Sequence, residues 1–253
     1  IPLRLVGSEM CIRDSYKTGV GSRGWGNVRA KVSLVDAFDA DDVMFDGNDT
    51  WGNNKKDKRA QFMTALPNQV KDTWDVNMDM TSTFTCGYGY IKWRNVTKED
   101  ELCPSGDAYT SIDFPLFRTA DAYLMAAEAI LRGANGTQSE ALGYVNEVRT
   151  RAYMSGKYAK NGVRSDVSGE IGANELDLDF LLLERQKELA SELIRRTDLI
   201  RFGKYTKGNN WDWKNGVRLG EDVDDKYNLF PIPESELTNN PTLVQNDGYK
   251  VIK

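Results

Sequence analysis

The sequence predicts a mainly α protein, a set of helical hairpins that carries long loops and small β-elements. Three observations lead there. Apolar residues recur at helical spacing through residues 115–206. The first two periodic runs are separated by a short break from Gly133 to Gly136, so they should fold back on each other as an antiparallel pair. Before residue 114 the character is different: the chain is rich in Gly, Asn, Asp, Thr and aromatics, with short strand-like runs between turn signals.

Taken in order, residues 1–15 do not read as part of the fold. Their apolar stretch is short, Arg4 and Glu9 interrupt it, and Glu9 and Met10 rather than small residues precede Cys11, so they do not make an export signal. Leu5 through Asp14 resembles a sequencing-library adapter translated in frame. On that reading the segment is foreign and the natural chain is cut near Tyr16. Residues 16–113 form a loop-rich segment with short strands. Val32-Ser33-Leu34-Val35 and Thr83-Phe84-Thr85-Cys86 read as strands, with turns at Gly47-Asn48-Asp49 and Gly52-Asn53-Asn54. Gly87 to Trp93 alternates aromatic with small or charged residues, like a half-buried strand.

Residues 114–253 form the helical region and its tail. Apolar positions 117, 120, 124, 127 and 131 make one face of a first helix. Thr137 or Ser139 can cap a second, whose stripe runs through Ala141, Leu142, Val145 and Val148. A polar linker spans about Ser155 to Asn174. A third helix is expected from Leu178, with Leu182, Leu183, Leu189, Leu193 and Ile194 turned inward, and a short fourth from Arg196 to Tyr205. Such hairpins are used by helical-repeat scaffolds, although no 34-residue identity repeat is visible. After residue 207, Pro231-Ile232-Pro233, Asn239-Asn240-Pro241 and Asn246-Asp247-Gly248 punctuate a tail in which Glu234 to Leu237 can make one helical turn.

Composition narrows the chemistry. The chain has no histidine, which removes Ser-His-Asp and Cys-His catalysis and His-ligated zinc. Its 33 basic and 38 acidic residues are interspersed and sum to −5, a poor surface for phosphate, so no nucleic-acid partner is expected. No apolar run reaches the length of a membrane-crossing helix. Outside the first segment the cysteines are Cys86 and Cys103. They form no CxxC and no zinc site; in an oxidising compartment they can be bonded or free. No cofactor is implied.

Three features carry candidate chemistry. Glu184, Glu188 and Glu192 fall at i, i+4 and i+8, where like charges repel and need cations. Arg149 and Arg151 can supply them, with Arg118 or Arg195. An interhelical ion-pair ladder is the expected role, rather than acid–base work or cation binding. Asp39, Asp41, Asp42, Asp46 and Asp49 make an acidic loop whose spacing can ligate calcium. The loop lacks the central glycine and terminal glutamate of an EF-hand loop, so a solvated acidic turn is expected. Finally, Trp25, Trp51, Trp74, Trp211 and Trp213 sit among Gly, Asn and Asp. A loop indole can stack on the apolar face of a sugar while neighbouring amides and carboxylates bond its hydroxyls. Trp51, Trp25 and Trp74 are the candidate ligand-binding residues.

Four stretches resemble the SusD/RagB family of outer-membrane nutrient-binding lipoproteins of Bacteroidetes-type bacteria. They are Phe114 to Ala129 with Arg118, Ala120, Asp121 and Glu128; Val145-Asn146-x-Val148-Arg149-x-Arg151-Ala152; Glu184 to Arg201 with Glu188, Glu192, Arg195 and Asp198; and Pro231 to Tyr249. Leu193 and Arg196 depart from the small and aromatic residues that the family often has there. The resemblance implies a SusD-like, TPR-like helical-repeat hairpin scaffold with the loop-rich segment facing the ligand. It implies a surface lipoprotein of the outer membrane that binds oligosaccharide without catalysis and partners a SusC-like TonB-dependent transporter. Family members are considerably longer, so this chain is expected to be a C-terminal fragment with its lipid anchor in the missing part. Two alternatives stand beside that reading: a carbohydrate hydrolase using paired carboxylates, and a helical protein-interaction scaffold.

Overall fold

A computed structural model of the chain describes residues 30–43, 55–63, 89–90, 92, 113–159 and 167–250. They fall into two compact units that divide after Arg195. Among the described residues the fold is mainly α, with one small two-stranded ribbon.

The first unit starts with two single-turn helices, α1 (Val32–Val35) and α2 (Ala40–Val43). The apolar run Val32 to Val35 reads in the sequence as a strand. It forms a helical turn because Val35 and Phe38, three residues apart, must enter one small core with Val43, Ala60 and Phe62. Tertiary packing overrides local preference there. Strand β1 (Phe62–Met63) pairs antiparallel with β2 (Gly89–Tyr90), Phe62 opposite Tyr90. The Phe62 ring meets Phe38 edge-on at 5.5 Å and Tyr90 at 5.4 Å. The alternating segment at Gly87 is thus a strand at Gly89–Tyr90; apart from Lys92 its flanks, like Thr83 to Cys86 and both predicted turns, lie outside the described residues.

The main core is built by α3 (Thr119–Leu131), α4 (Gln138–Ala152) and α5 (Leu178–Glu188). Leu124 and Ala127 of α3, Ala141, Val145 and Val148 of α4, and Leu176 and Leu181 at α5 are buried together. Each buried leucine contributes about 1.5–3 kcal/mol by leaving water. The α3–α4 turn follows its glycines. Gly136 has φ +145°, and a β-carbon there would run 2.7 Å from the Ile130 side chain. Thr137 then caps α4: its hydroxyl accepts from the Glu140 N–H at 3.2 Å, while the Glu140 carboxylate accepts from the Thr137 N–H at 2.7 Å. Asp177 caps α5 by accepting from the Phe180 N–H at 2.7 Å.

Two sequence expectations fail at helix ends. Phe117 precedes α3 and is 90% exposed rather than core. The third helix stops at Glu188 instead of running to Ile194, and Leu193, expected inside, is 68% exposed. The cause is electrostatic. The Glu188 carbonyl accepts from Lys92 Nζ at 2.8 Å and Arg118 Nη2 at 2.6 Å, and the Ala190 carbonyl accepts from Lys92 at 3.2 Å. Cations at a helix C-terminus satisfy its orphan carbonyls and favour termination. The chain leaves through left-handed Ser191 and Leu193.

In the second unit, α6 (Arg195–Arg201) leads into an irregular stretch with short 3₁₀ turns at Lys214–Gly216 and Asp225–Asn228, then α7 (Glu234–Asn239). Arg196 lies between the rings of Tyr205 (4.8 Å) and Phe230 (4.3 Å) and donates to the Tyr227 carbonyl at 2.9 Å. Gln245 holds the tail by bonding both the N–H and the carbonyl of Ile232. Among the described residues no helix is long and apolar enough to cross a membrane.

Candidate functional site

The strongest concentration of charge lies at the C-terminal end of α5. Glu184 and Glu188 are one helical turn apart, and both are at most 3% exposed. Glu192 was expected to continue that face. It instead sits in the turn beyond the helix, 5% exposed, and reaches the same cluster because the chain folds back there.

Cations converge on these acids from four places. Arg149 of α4 donates to Glu184 at 2.7 Å, with its Nε on the Gly169 carbonyl. Arg151 donates to Glu188 at 2.6 Å. Arg118, just before α3, bridges Glu188 at 2.6 Å and Glu192 at 2.7 Å. Lys92, next to β2, pairs with Glu192. Arg59 enters from the loop before β1. It grips Asp57 with two parallel hydrogen bonds of 2.8 and 2.7 Å and places Nη1 2.6 Å from Glu184 and 3.3 Å from Glu188.

The protonation behaviour follows from burial and neighbours. Burial opposes the charge on Arg59, but Glu184, Asp57 and Glu188 outweigh it and hold the guanidinium well above its ordinary range. Burial likewise opposes ionised Asp57, and Arg59 overcomes it, holding that carboxyl below the usual carboxylate range. Burial wins at Lys92, whose ammonium titrates lower than usual despite Glu192. Every acid of the cluster is met by a cation, a geometry suited to fixing segments together.

The SusD family model matches residues 7–249. The chain belongs to the SusD family. Among its relatives is the starch-binding protein SusD of Bacteroides thetaiotaomicron, 38% identical over 176 residues, which are 69% of this chain and 28% of that protein. The SusD-like protein P2 of Formosa agariphila is 32% identical over 214 residues, 74% of this chain and 41% of that one. The chain therefore spans less than half the length of these curated relatives. Among solved structures, a surface glycan-binding protein A from Bacteroides thetaiotaomicron shares the fold, with a TM-score of 0.55 and 23% identity, covering 91% of this chain and 43% of its own. Membership of the SusD family and its helical fold agree with the resemblance drawn from the four sequence stretches.

Within this SusD-family chain, Arg118, Arg149, Arg151, Glu184, Glu188 and Glu192 come together. Arg195 points elsewhere, donating to the Leu182 carbonyl at 2.9 Å and to Gln186 at 2.7 Å. Sequence reasoning missed Arg59, Asp57 and Lys92. The one available signal was the dense basic run from Lys55 to Arg59 inside an otherwise polar, turn-rich stretch. Trp25, Trp51 and Trp74 lie outside the described residues, as do Cys86, Cys103, Asp46 and Asp49. Asp39 and Asp41 are exposed, but Asp42 departs from the expected solvated turn. It is 3% exposed; its carboxylate accepts from the Lys56 and Asp57 N–H groups at 2.7 and 3.0 Å, and its carbonyl from Lys55 Nζ. It orders the loop that delivers Arg59. Among the described residues no group of acids or cysteines is arranged to hold a metal.

Proposed function

We propose that this chain is part of a surface lipoprotein of the bacterial outer membrane that binds oligosaccharide or polysaccharide without altering it and passes it to a SusC-like TonB-dependent transporter. The observation that carries the reading is the anchoring of the loop-rich half on the helices. Arg59 and Lys92, from either side of residues 64–88, both bond the acids at the end of α5. A recognition surface built on loops needs such fixing, because every contact made by a mobile side chain is weakened by the entropy of ordering it. The same pairing disfavours hydrolysis. Glu184, Glu188 and Glu192 bond guanidinium or ammonium groups, whereas a hydrolase needs one carboxyl to protonate a leaving group and another to attack or to activate water. The relatives named for binding starch and surface glycans support the same class. Trp25, Trp51 and Trp74 are the proposed stacking platforms.

The test is affinity electrophoresis of the 253-residue chain through gels cast with starch and other polysaccharides, with a reducing-end assay alongside. Retardation on at least one polysaccharide without release of reducing ends is expected. Release of reducing ends would support the hydrolase instead, and no retardation on any gel would overturn the binding role. Purification of the transporter from outer membranes with this chain attached would test the partnership.

A further inference from the structure

Two turns of the structure contain the dipeptide Asn-Gly: Asn135-Gly136 between α3 and α4, and Asn215-Gly216 in the second unit. Asn161-Gly162 lies outside the described residues. Such a pair is chemically labile. The glycine nitrogen attacks the asparagine side-chain carbonyl carbon, loses its proton and expels ammonia, leaving a cyclic imide. Water then opens the imide at either carbonyl. One product is aspartate; the other is isoaspartate, in which the main chain runs through the side-chain carbon. Glycine favours ring closure because no β-carbon shields its nitrogen and its backbone reaches angles closed to other residues.

The folded chain treats the two pairs oppositely. At Asn215 both reacting groups are engaged. Its Nδ2 donates to Glu221 at 2.6 Å, and the Gly216 N–H donates to the Trp213 carbonyl at 3.0 Å, so both bonds must break before the ring can close. At Asn135 neither restraint is present. Asn135 and Gly136 are exposed, and among the described residues neither the Asn135 side chain nor the Gly136 N–H makes a hydrogen bond. Packing also keeps the glycine in place: Gly136 has φ +145°, and the Ile130 side chain lies 2.7 Å from where a β-carbon would be. The labile pair is therefore built into the hairpin turn.

We infer that Asn135 is a site of spontaneous deamidation, converted in the folded chain to aspartate and isoaspartate through an imide with Gly136, while Asn215 is protected. The two products act differently on the hairpin. Aspartate adds an anion near the N-terminus of α4, where the helix dipole favours it. Isoaspartate lengthens the main chain just before Thr137 and puts the reciprocal bonds of Thr137 and Glu140 out of register.

The test incubates the 253-residue chain at mildly alkaline pH with and without urea, digests it in acid to stop further reaction, and follows each asparagine by peptide mass spectrometry. Asn135 should convert in the folded chain within about threefold of its rate in urea, whereas folding should slow Asn215 by about tenfold or more. Protection of Asn135 to the same degree as Asn215, or reaction of Asn215 at its urea rate, would overturn the inference. Asn135→Gln, which would have to close a larger ring, should hold its melting temperature better through the same incubation than the wild-type chain. Identical melting behaviour of the two chains would overturn the effect on the α4 cap.

Discussion

Replacing Arg59 by alanine tests the ion cluster at its most connected point. The guanidinium is 7% exposed and serves three buried acids. Without it Glu184 keeps Arg149, and Glu188 keeps Arg118 and Arg151. Asp57, 1% exposed, loses both of its charged hydrogen bonds, and Lys187, which acts on it only through space, remains a minor influence. Breaking a buried pair from one side typically costs about 3–5 kcal/mol, mostly the penalty of the stranded charge. Arg151→Ala is the control: Arg151 is 43% exposed, its acid retains two other cations, and the expected loss is below about 1 kcal/mol. Urea unfolding followed by tryptophan fluorescence and by circular dichroism measures both. Adding Asp57→Asn to Arg59→Ala should recover part of the loss, because the stranded charge is then gone. Equal losses of 1 kcal/mol or less for Arg59→Ala and Arg151→Ala would refute the reasoning, as would a further loss on adding Asp57→Asn.

Three more outcomes follow from the geometry. Gly143 lies inside α4 with nothing within 4 Å of where its β-carbon would be, so Gly143→Ala should stabilise by roughly 0.5–1 kcal/mol, read as a higher urea midpoint. Gly220 has φ +75°, and a β-carbon there would lie 2.7 Å from the Trp211 carbonyl; Gly220→Ala should cost roughly 1–3 kcal/mol and lower the melting temperature. Because Asp57 titrates lower in the folded chain than in the unfolded one, its contribution is complete above the ordinary carboxylate range and fades as pH falls through its folded value. Urea midpoints should therefore drop below about pH 4, and Asp57→Asn should flatten that dependence while lowering stability at pH 7.

What could be read from the sequence was what depends on nearby residues. The Thr137–Glu140 cap, the glycine turn between α3 and α4, and the start of α5 at Leu178 are all written in stretches of a few residues. The meeting of α4 arginines with α5 glutamates was legible because a run of like charges demands partners. Arg59 was not, because it reaches Glu184 across 125 positions and no local period announces such a contact. The early end of α5 was hidden for the same reason: the cations that cap it come from Lys92 and Arg118. Val32 to Val35 misled because a short apolar run is ambiguous between strand and helix until the location of the core is known. The packing of Trp211 on Tyr205, 5.1 Å from the buried Lys214 ammonium, was equally hidden, because its Asn- and Asp-rich setting in the sequence reads as an open loop.

Stitching by Arg59 and Lys92 has an evolutionary consequence. Both knots close on acids at or just beyond the end of α5, so the segments that carry Arg59 and Lys92 depend on one short run of chain. Substitution at any of Glu184, Glu188 or Glu192 is therefore felt by separate chain segments at once, so these acids are expected to change only together with the cations that meet them.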